Sequence, residues 1–433
     1  MDPLIIGLIA IIAFLVLISQ GVPIAISFGL VGFAGMLLIR GTTPALNAVA
    51  QVSYAWATAD AMVPVPLFII MGYLAYASGI TQDLYDVAYK WFGKYSGGMA
   101  MATTLACTGF AACCGAVPAA AATMATIAYP EMERLRYNRA LSTGCIAAGS
   151  TISILIPPSI PFLIYAMLAE VSAGDLFIAG IIPGIIMAFL FLVLIFVLTK
   201  RNPALGPRGE TFSWKARIFG LKNTIGMLLL FLLVIGGLYA GIFTPSEAGA
   251  IGAFGALIIG LAMRRLNLRK IVFAIKESAR LLGFTALLVI GAQIFNVFLG
   301  VSGFQARFTE IVTGLTWPSW VILLAVIVIY ILAGMFLDIM AIYMLTIPTL
   351  APIMRALGYD LIWFGVITII LAQVGFLTPP VGMASYIVQG VTKVPLEEVF
   401  RGALPFALIM LVTAVILIFA PQLATWLPGL AGQ

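Results

Sequence analysis

The chain has 433 residues, of which 63% are hydrophobic and 9% charged, with a net charge of +6 and no histidine. A soluble domain carries roughly a quarter of its residues as charges, so this composition excludes a water-solvated fold and asks for a bilayer as solvent. With no histidine and with its four cysteines (Cys107, Cys113, Cys114, Cys145) all in apolar segments, the chain has neither a zinc or haem ligand set nor a disulfide framework; the cysteines read as small core residues.

Residues 3–20 and 22–39 each have the length of about 20 residues that carries a helix across ~30 Å of hydrocarbon. The first run lacks a basic leader and a small-residue cleavage site, so it is expected to be a retained helix. Residues 61–77 form the next crossing, with Asp60 at its membrane edge. The arm 80–95 mixes Leu84 and Tyr85 with Lys90 and Trp91, as in a helix lying along the membrane surface. Residues 99–130 have a small, irregular centre and are expected to form a re-entrant hairpin (98–130) tipped near 112–115. Residues 149–166 read GSTISILIPPSIPFLIYA, inside a helix (141–169) broken at mid-membrane. Residues 176–199 cross again, the polar stretch 200–222 is a loop, and 212–222 is the expected cytoplasmic linker.

Crossings at 223–241, 246–263 and 281–300 follow. Glu247 comes just after Thr244-Pro245-Ser246, where a carboxylate caps free helical N–H groups. Gln293 and Asn296 lie one turn apart in the third of these helices and suit hydrogen bonding between helices. A second surface arm (303–316), a second hairpin (321–352, tipped near 334–338), a second broken helix (361–391) and a last crossing (402–420) complete the chain. The second break reads LAQVGFLTPPVGMASYIV over 371–388. Asp338 either anchors the second tip or assists an ion there.

The breaks have a physical cause. A proline removes one helical hydrogen bond, blocks another and pushes the preceding residue out of the helical region. Two adjacent prolines free several carbonyls, each expensive in lipid, so such a break persists only where protein, an ion, a substrate or a hydrated cavity meets it. Small residues at a hairpin tip let backbone approach backbone, which suits carbonyl coordination of a hard cation such as Na⁺.

At an offset of 222 residues Pro23 falls on Pro245, Pro130 on Pro352, Met132 on Met354 and Tyr137 on Tyr359. Pro157-Pro158 falls on Pro379-Pro380, and Pro183 on Pro405. The chain therefore reads as two repeats, 1–211 and 223–433, each with five crossings and one hairpin. An odd number of crossings turns the second copy upside down, the architecture of secondary transporters; a duplicated channel or a structural membrane protein is the alternative. With the N-terminus outside, all but three of the 22 Lys and Arg residues (Arg40, Arg307, Arg355) fall inside. The basic excess is thus a topology signal and not a nucleic-acid footprint.

The stretches PLFIIMGYLAYASGI (66–80), 127–166, FTPSEAGAIGA (243–253), 334–367 and TPPVG (378–382) resemble the large membrane subunit of TRAP transporters, the tripartite ATP-independent periplasmic systems. That resemblance implies an all-α membrane protein of about ten transmembrane helices working as an elevator. It implies Na⁺-coupled import of an organic anion, such as a C4-dicarboxylate, a sugar acid or a sialic-acid-like compound, at a bacterial inner membrane; the Lys and Arg distribution puts both termini on the periplasmic side. It also implies two separate partners, a small membrane subunit and a periplasmic substrate-binding protein, and no organic cofactor. Carried over by motif, one Na⁺ site falls on Gly334, Gly375 and Thr378. The offset places its counterpart at Ala112, Ser153 and Ile156 with Ser150 nearby; Asp338 at the second tip, and Gly115 and Cys114 at the first, are the supporting residues. The substrate would lie between the breaks, against Pro158, Ser159, Pro380, Gly382 and Ala384. The chain departs from the family at Cys114-Gly115-Ala116-Val117-Pro118, where serines usually follow the glycine, and at Ala384, often Asn. Both departures remove side-chain oxygens. A stand-alone symporter of the same superfamily is the rival reading, and an enzyme finds no nucleophile with its base.

Overall fold

A computed structural model of the chain describes residues 2–115, 117–315 and 317–431, with the side chains of Ala61, 111–114 and Ala431 outside that description. Among the described residues there is no strand. The helices are α1 (Pro3–Ser19), α2 (Ile24–Arg40), α3 (Thr42–Thr58), α4 (Pro64–Ala77), α5 (Ile80–Phe92), α6 (Gly98–Cys114), α7 (Val117–Arg134), α8 (Arg139–Thr151), α9 (Ile160–Ala169) and α10 (Ala173–Arg201). They continue as α11 (Trp214–Gly220), α12 (Ile225–Phe231), α13 (Gly237–Tyr239), α14 (Pro245–Ala262), α15 (Leu268–Val301), α16 (Phe304–Gly314), α17 (Ser319–Gly334) and α18 (Ile339–Ala356). Last come α19 (Leu361–Leu377), α20 (Met383–Thr392), α21 (Leu396–Phe419) and α22 (Gln422–Ala431).

The expected all-α membrane fold is present. Among the described residues, six helices of 18 residues or more are apolar enough to span a membrane, α11 to α13 counting as one of 26 residues. The bent pair α4 and α5 makes a seventh candidate; α1, α2, α9, α17 and α19 are shorter apolar helices. The expectation of ten crossings counts α1 and α2, at 17 residues each, and treats each broken helix as one crossing. Leucine and isoleucine side chains that no core covers, such as Ile12 (59% exposed) and Leu38 (86%), are placed to face lipid.

Local chemistry accounts for most boundaries. Asp2 caps α1, accepting from the Leu4 N–H at 2.9 Å, and Pro3 occupies the first turn. Thr244 and Glu247 form a reciprocal capping box that starts α14. Gly79 (φ 76°) lets the chain leave α4 and turn through 61° into α5. A side chain would strain that turn. The expected arms are α5 and α16.

Two segments differ from expectation. Residues 42–58 are helical where no element was anticipated, and the linker at 212–222 is helical from Trp214 onward. Ser213 caps the latter, accepting from the Ala216 N–H at 3.2 Å, and good helix formers (Lys215, Ala216, Arg217) follow. Pro64 separates α3 from α4, whereas 222 positions later stands Ala286, and there α15 runs unbroken for 34 residues.

Two packed groups emerge. In one, α2 lies along α15 and α4 along α14. Phe14 and Phe28 stack at 4.1 Å, with Phe295 tilted against them at 6.0 and 5.4 Å. The other holds both hairpins, both broken helices, α10 and α21. Here packing is crosswise: α6 and α7 pack on α8 and α20, while α17 and α18 pack on α19 and α9. A buried ring cluster of Tyr165, Tyr330, Tyr343 and Phe364 knits the second set together. The Tyr165 hydroxyl donates to Leu361 O at 2.6 Å. Boundaries recur at the spacing of the sequence matches, since α18 starts and ends 222 residues after α7.

Candidate functional site: two broken helices closed by two hairpin tips

The first break follows α8. Asn138 caps that helix, accepting from the Leu141 N–H at 3.2 Å. A 3₁₀ turn at Ile152–Ile154 ends it, and the chain crosses a cis Pro157-Pro158 bond. Ser159 then closes the loop: its hydroxyl donates to Ile154 O at 2.6 Å and accepts from the Phe162 N–H at 3.4 Å, starting α9. The second break runs from Thr378 through a cis Pro379-Pro380 bond to Gly382 (φ 56°), which starts α20.

Each tip meets its own break through backbone. A Cβ built on Gly375 would lie 2.3 Å from Gly334 C and 2.5 Å from its Cα. A Cβ on Gly334 would lie 2.6 Å from Ala372 O. The two glycines therefore face each other with no room for a side chain. Met335 O accepts from the Gly382 N–H at 3.4 Å, a second link between tip and break. At the first tip, Gly115 (φ 58°) sits where a Cβ would come within 2.8 Å of Pro158 O.

Hydroxyls line the same region. Thr378 Oγ1 donates to Val374 O at 3.1 Å, Ser153 Oγ to Ser150 O at 2.6 Å, and Ser150 Oγ to Ala147 O at 2.7 Å. A hydroxyl that donates its proton to its own helix keeps oxygen lone pairs for a cation. Among the described residues no three His, Cys, Asp or Glu side chains cluster; the oxygens around the breaks are hydroxyls and carbonyls, with the Asp338 carboxylate beside them at the second tip.

One contributor was invisible in the sequence. Thr151 ends α8, and its carbonyl loses its helical partner because Leu155 N–H donates to Ile152 O. Gln373, buried in α19 at the position 222 residues later, donates its side-chain amide to that carbonyl at 3.0 Å. The two breaks are thereby tied to each other. The only signal was a lone amide in a long apolar run. Asn296 does the same for α18: Pro348 has no N–H to offer Met344 O, and Asn296 Nδ2 donates to it at 2.8 Å.

The remaining expected residues fall as follows. Gly334, Gly375 and Thr378 come together at the second tip, and Asp338 caps α18, accepting from the Met340 N–H at 2.9 Å. Ser150, Ser153 and Ile156 are buried in the first break, with Pro158 and Ser159. The side chains of Ala112 and Cys114 lie outside the described residues, as does Ala116. At the second break Gly382 and Ala384 are buried, while Pro380 and Val381 (38%) are exposed. The first break is sealed and the second open. Asp60 is exposed at the mouth of a cleft of about 240 Å³ between α4, α9 and α14. A second cleft, of about 200 Å³ and lined by Tyr76, Thr123, Thr126 and Glu277, separates α4 and α15 from α7.

The sequence matches the family described as tripartite ATP-independent periplasmic transporter, DctM component, over residues 11–423. It is 33% identical to the C4-dicarboxylate TRAP transporter large permease protein of Pseudomonas aeruginosa, covering 86% of this chain and 87% of that one. It is 29% identical to the sialic acid TRAP transporter large permease protein of Vibrio cholerae, covering 97% and 98%. In three dimensions it resembles the YdaH transporter of Alcanivorax borkumensis, with a TM-score of 0.57, 16% identity and 90% of each chain covered.

Proposed function

Because this chain belongs to the DctM-component family of tripartite ATP-independent periplasmic transporters, a family of membrane permeases, we propose that it is the large permease of a Na⁺-coupled, binding-protein-dependent importer of an organic anion. The observation that carries this reading is the backbone contact of Gly334 with Gly375 beside the Thr378 hydroxyl, where a tip closes over a break. A cation held there by hydroxyl and carbonyl oxygens would bind the closed tip more tightly than the open one, and only such a difference couples ion to transport. Ser150, Ser153 and Ile156 would serve the first break in the same way. The anion would sit between the breaks, near Pro158, Ser159, Pro380, Gly382 and Ala384. It is drawn there by the N-termini of α9 and α20.

Residues 1–211 and 223–433 would be the inverted copies. The hairpins with the broken helices would move as an elevator against the group built on α2, α4, α14 and α15. The two clefts between these groups supply the separation such motion needs. A small membrane subunit would complete the fixed group, and a periplasmic protein would deliver the substrate. The Lys and Arg distribution favours an inner-membrane orientation with both termini periplasmic. Substrates named for relatives include C4-dicarboxylate, sialic acid and isethionate, two carboxylates and a sulfonate, which supports an organic anion here.

The test is uptake into proteoliposomes holding the chain and its small partner, with each candidate acid, under an inward Na⁺ gradient. Uptake should require both Na⁺ and the binding protein, and Ser153→Ala and Thr378→Ala should each raise the Na⁺ concentration for half-maximal uptake. Uptake without a binding protein would replace this reading by the stand-alone symporter, and indifference to Na⁺ would remove the ion sites.

A further inference from the structure

A groove of about 490 Å³ opens between the arm α5, hairpin helix α6, α10 and α12. Leu84, Leu105, Ile185, Phe231 and, at the first break, Ile156 give it an apolar wall. Ile185 (56% exposed) and Leu228 (59%) flank the opening, so it gives onto exposed apolar surface. The two threonines of the wall are satisfied by their own helices, Thr108 by Thr104 O at 2.8 Å and Thr224 by Leu221 O at 2.9 Å. Trp91 is the exception. Its indole Nε1–H is buried at the groove with no acceptor. An indole can only donate, so that group lacks an oxygen.

The rim carries the opposite chemistry. Lys90 and Lys222 are the sequence neighbours of the wall residues Trp91 and Leu221. A Cβ built on Gly220 would lie 3.6 Å from Lys90 Nζ, and Lys222 Nζ stands 4.1 Å over the Phe219 ring. Arg217 holds this corner together, its Nε donating to Lys90 O at 3.0 Å. Among the described residues neither lysine is paired with a carboxylate. An apolar slot, one unpaired donor buried in its wall and two ammonium groups beside it, Lys90 in the field of Asp86 on its own helix and Lys222 over the Phe219 ring, match an amphiphile with a hydrocarbon tail, an ester or phosphate oxygen and a negative head.

We propose that this groove is a binding site for one acyl chain of an anionic phospholipid, with a head-group oxygen on Trp91 Nε1 and the head group against Lys90 and Lys222. Charge argues for an anionic head, because the cytoplasmic leaflet is negative and attracts basic clusters at its surface. This last point rests on the orientation proposed above. The chain end would touch Ile156, placing a lipid between the arm and the first break.

The test uses the full chain with its small partner in phosphatidylcholine vesicles containing phosphatidylglycerol with brominated acyl chains, since bromine quenches the tryptophans it touches. The contribution of Trp91 is the difference between the native chain and Trp91→Phe. That contribution should saturate at a low mole fraction of brominated phosphatidylglycerol, and brominated phosphatidylcholine should require a several-fold higher fraction. Ala88→Phe, which fills the groove, should abolish it. Lys90→Gln with Lys222→Gln should keep the quenching but remove the head-group preference. Quenching that rises linearly with bulk fraction and is equal for both lipids would overturn the site. So would quenching seen only without the small partner, which would mean that a protein helix covers the groove. The readout needs no transport, so its failure would leave the transporter reading standing.

Discussion

Gly375→Ala puts the contact between tip and break under direct strain. Its new Cβ would lie 2.3 Å from Gly334 C and 2.5 Å from Gly334 Cα, whereas carbon atoms in contact sit ~3.5–4.0 Å apart. Neither obstructing atom belongs to a side chain that can swing away, so α17 and α19 must part by about 1 Å. Overpacking of this kind costs ~1–3 kcal/mol. If opening the tip relieves the strain, the same energy weakens an ion that requires the closed tip by about 5- to 150-fold. Sodium titration of uptake reads that shift, and thermal unfolding in detergent reads the strain that remains. Gly283→Ala is the control: it lies in α15 with no atom within 4 Å of the new methyl, and should be neutral or gain up to ~1 kcal/mol. A Gly375→Ala protein with unchanged Na⁺ dependence and unchanged unfolding temperature would refute the contact and the ion site built on it.

Gln373→Leu leaves the Thr151 carbonyl buried without a donor and should destabilise the protein by ~1–3 kcal/mol, seen as a lower unfolding temperature. Gln373→Glu can still donate to that carbonyl only while its carboxyl is protonated, so its unfolding temperature should fall as the pH is raised. Asn138→Ala removes the cap of α8 at a cost of ~1 kcal/mol, and its Na⁺ dependence of uptake should stay unchanged. Asp83 on α5 pairs with Arg265 between α14 and α15, the aspartate buried and the arginine partly exposed. Asp83→Asn should therefore cost more than the ~0.2–1 kcal/mol of an exposed pair and less than the ~3–5 kcal/mol of a fully buried one. Urea or thermal unfolding of the single and double variants with Arg265→Gln would measure the coupling between them.

Membrane residence, most of the apolar helices and both breaks were legible in the sequence because each has a local cause. Apolar length decides whether a helix can live in lipid, and a proline pair interrupts a helix whatever surrounds it. The candidate site was legible in part. Gly334, Gly375 and Thr378, spread over 44 positions, come together, because only glycine permits two backbones to approach so closely. The helical linker was missed because its polar residues read as loop, although Ser213 caps it and its apolar side chains (Trp214, Ile218, Phe219) remain exposed.

The solvent, the two breaks and the 222-residue periodicity thus follow from side-chain polarity and backbone geometry within a few residues. Only the tertiary structure decided that each hairpin packs on the opening half of its own broken helix and the closing half of the other. It alone decided that Gln373 reaches across to Thr151, that Asn296 supplies the donor Pro348 lacks, and that the first break is sealed while the second is open. Those outcomes depend on which orphaned carbonyl lies beside which amide once distant helices meet. No pattern of local propensity encodes that distance.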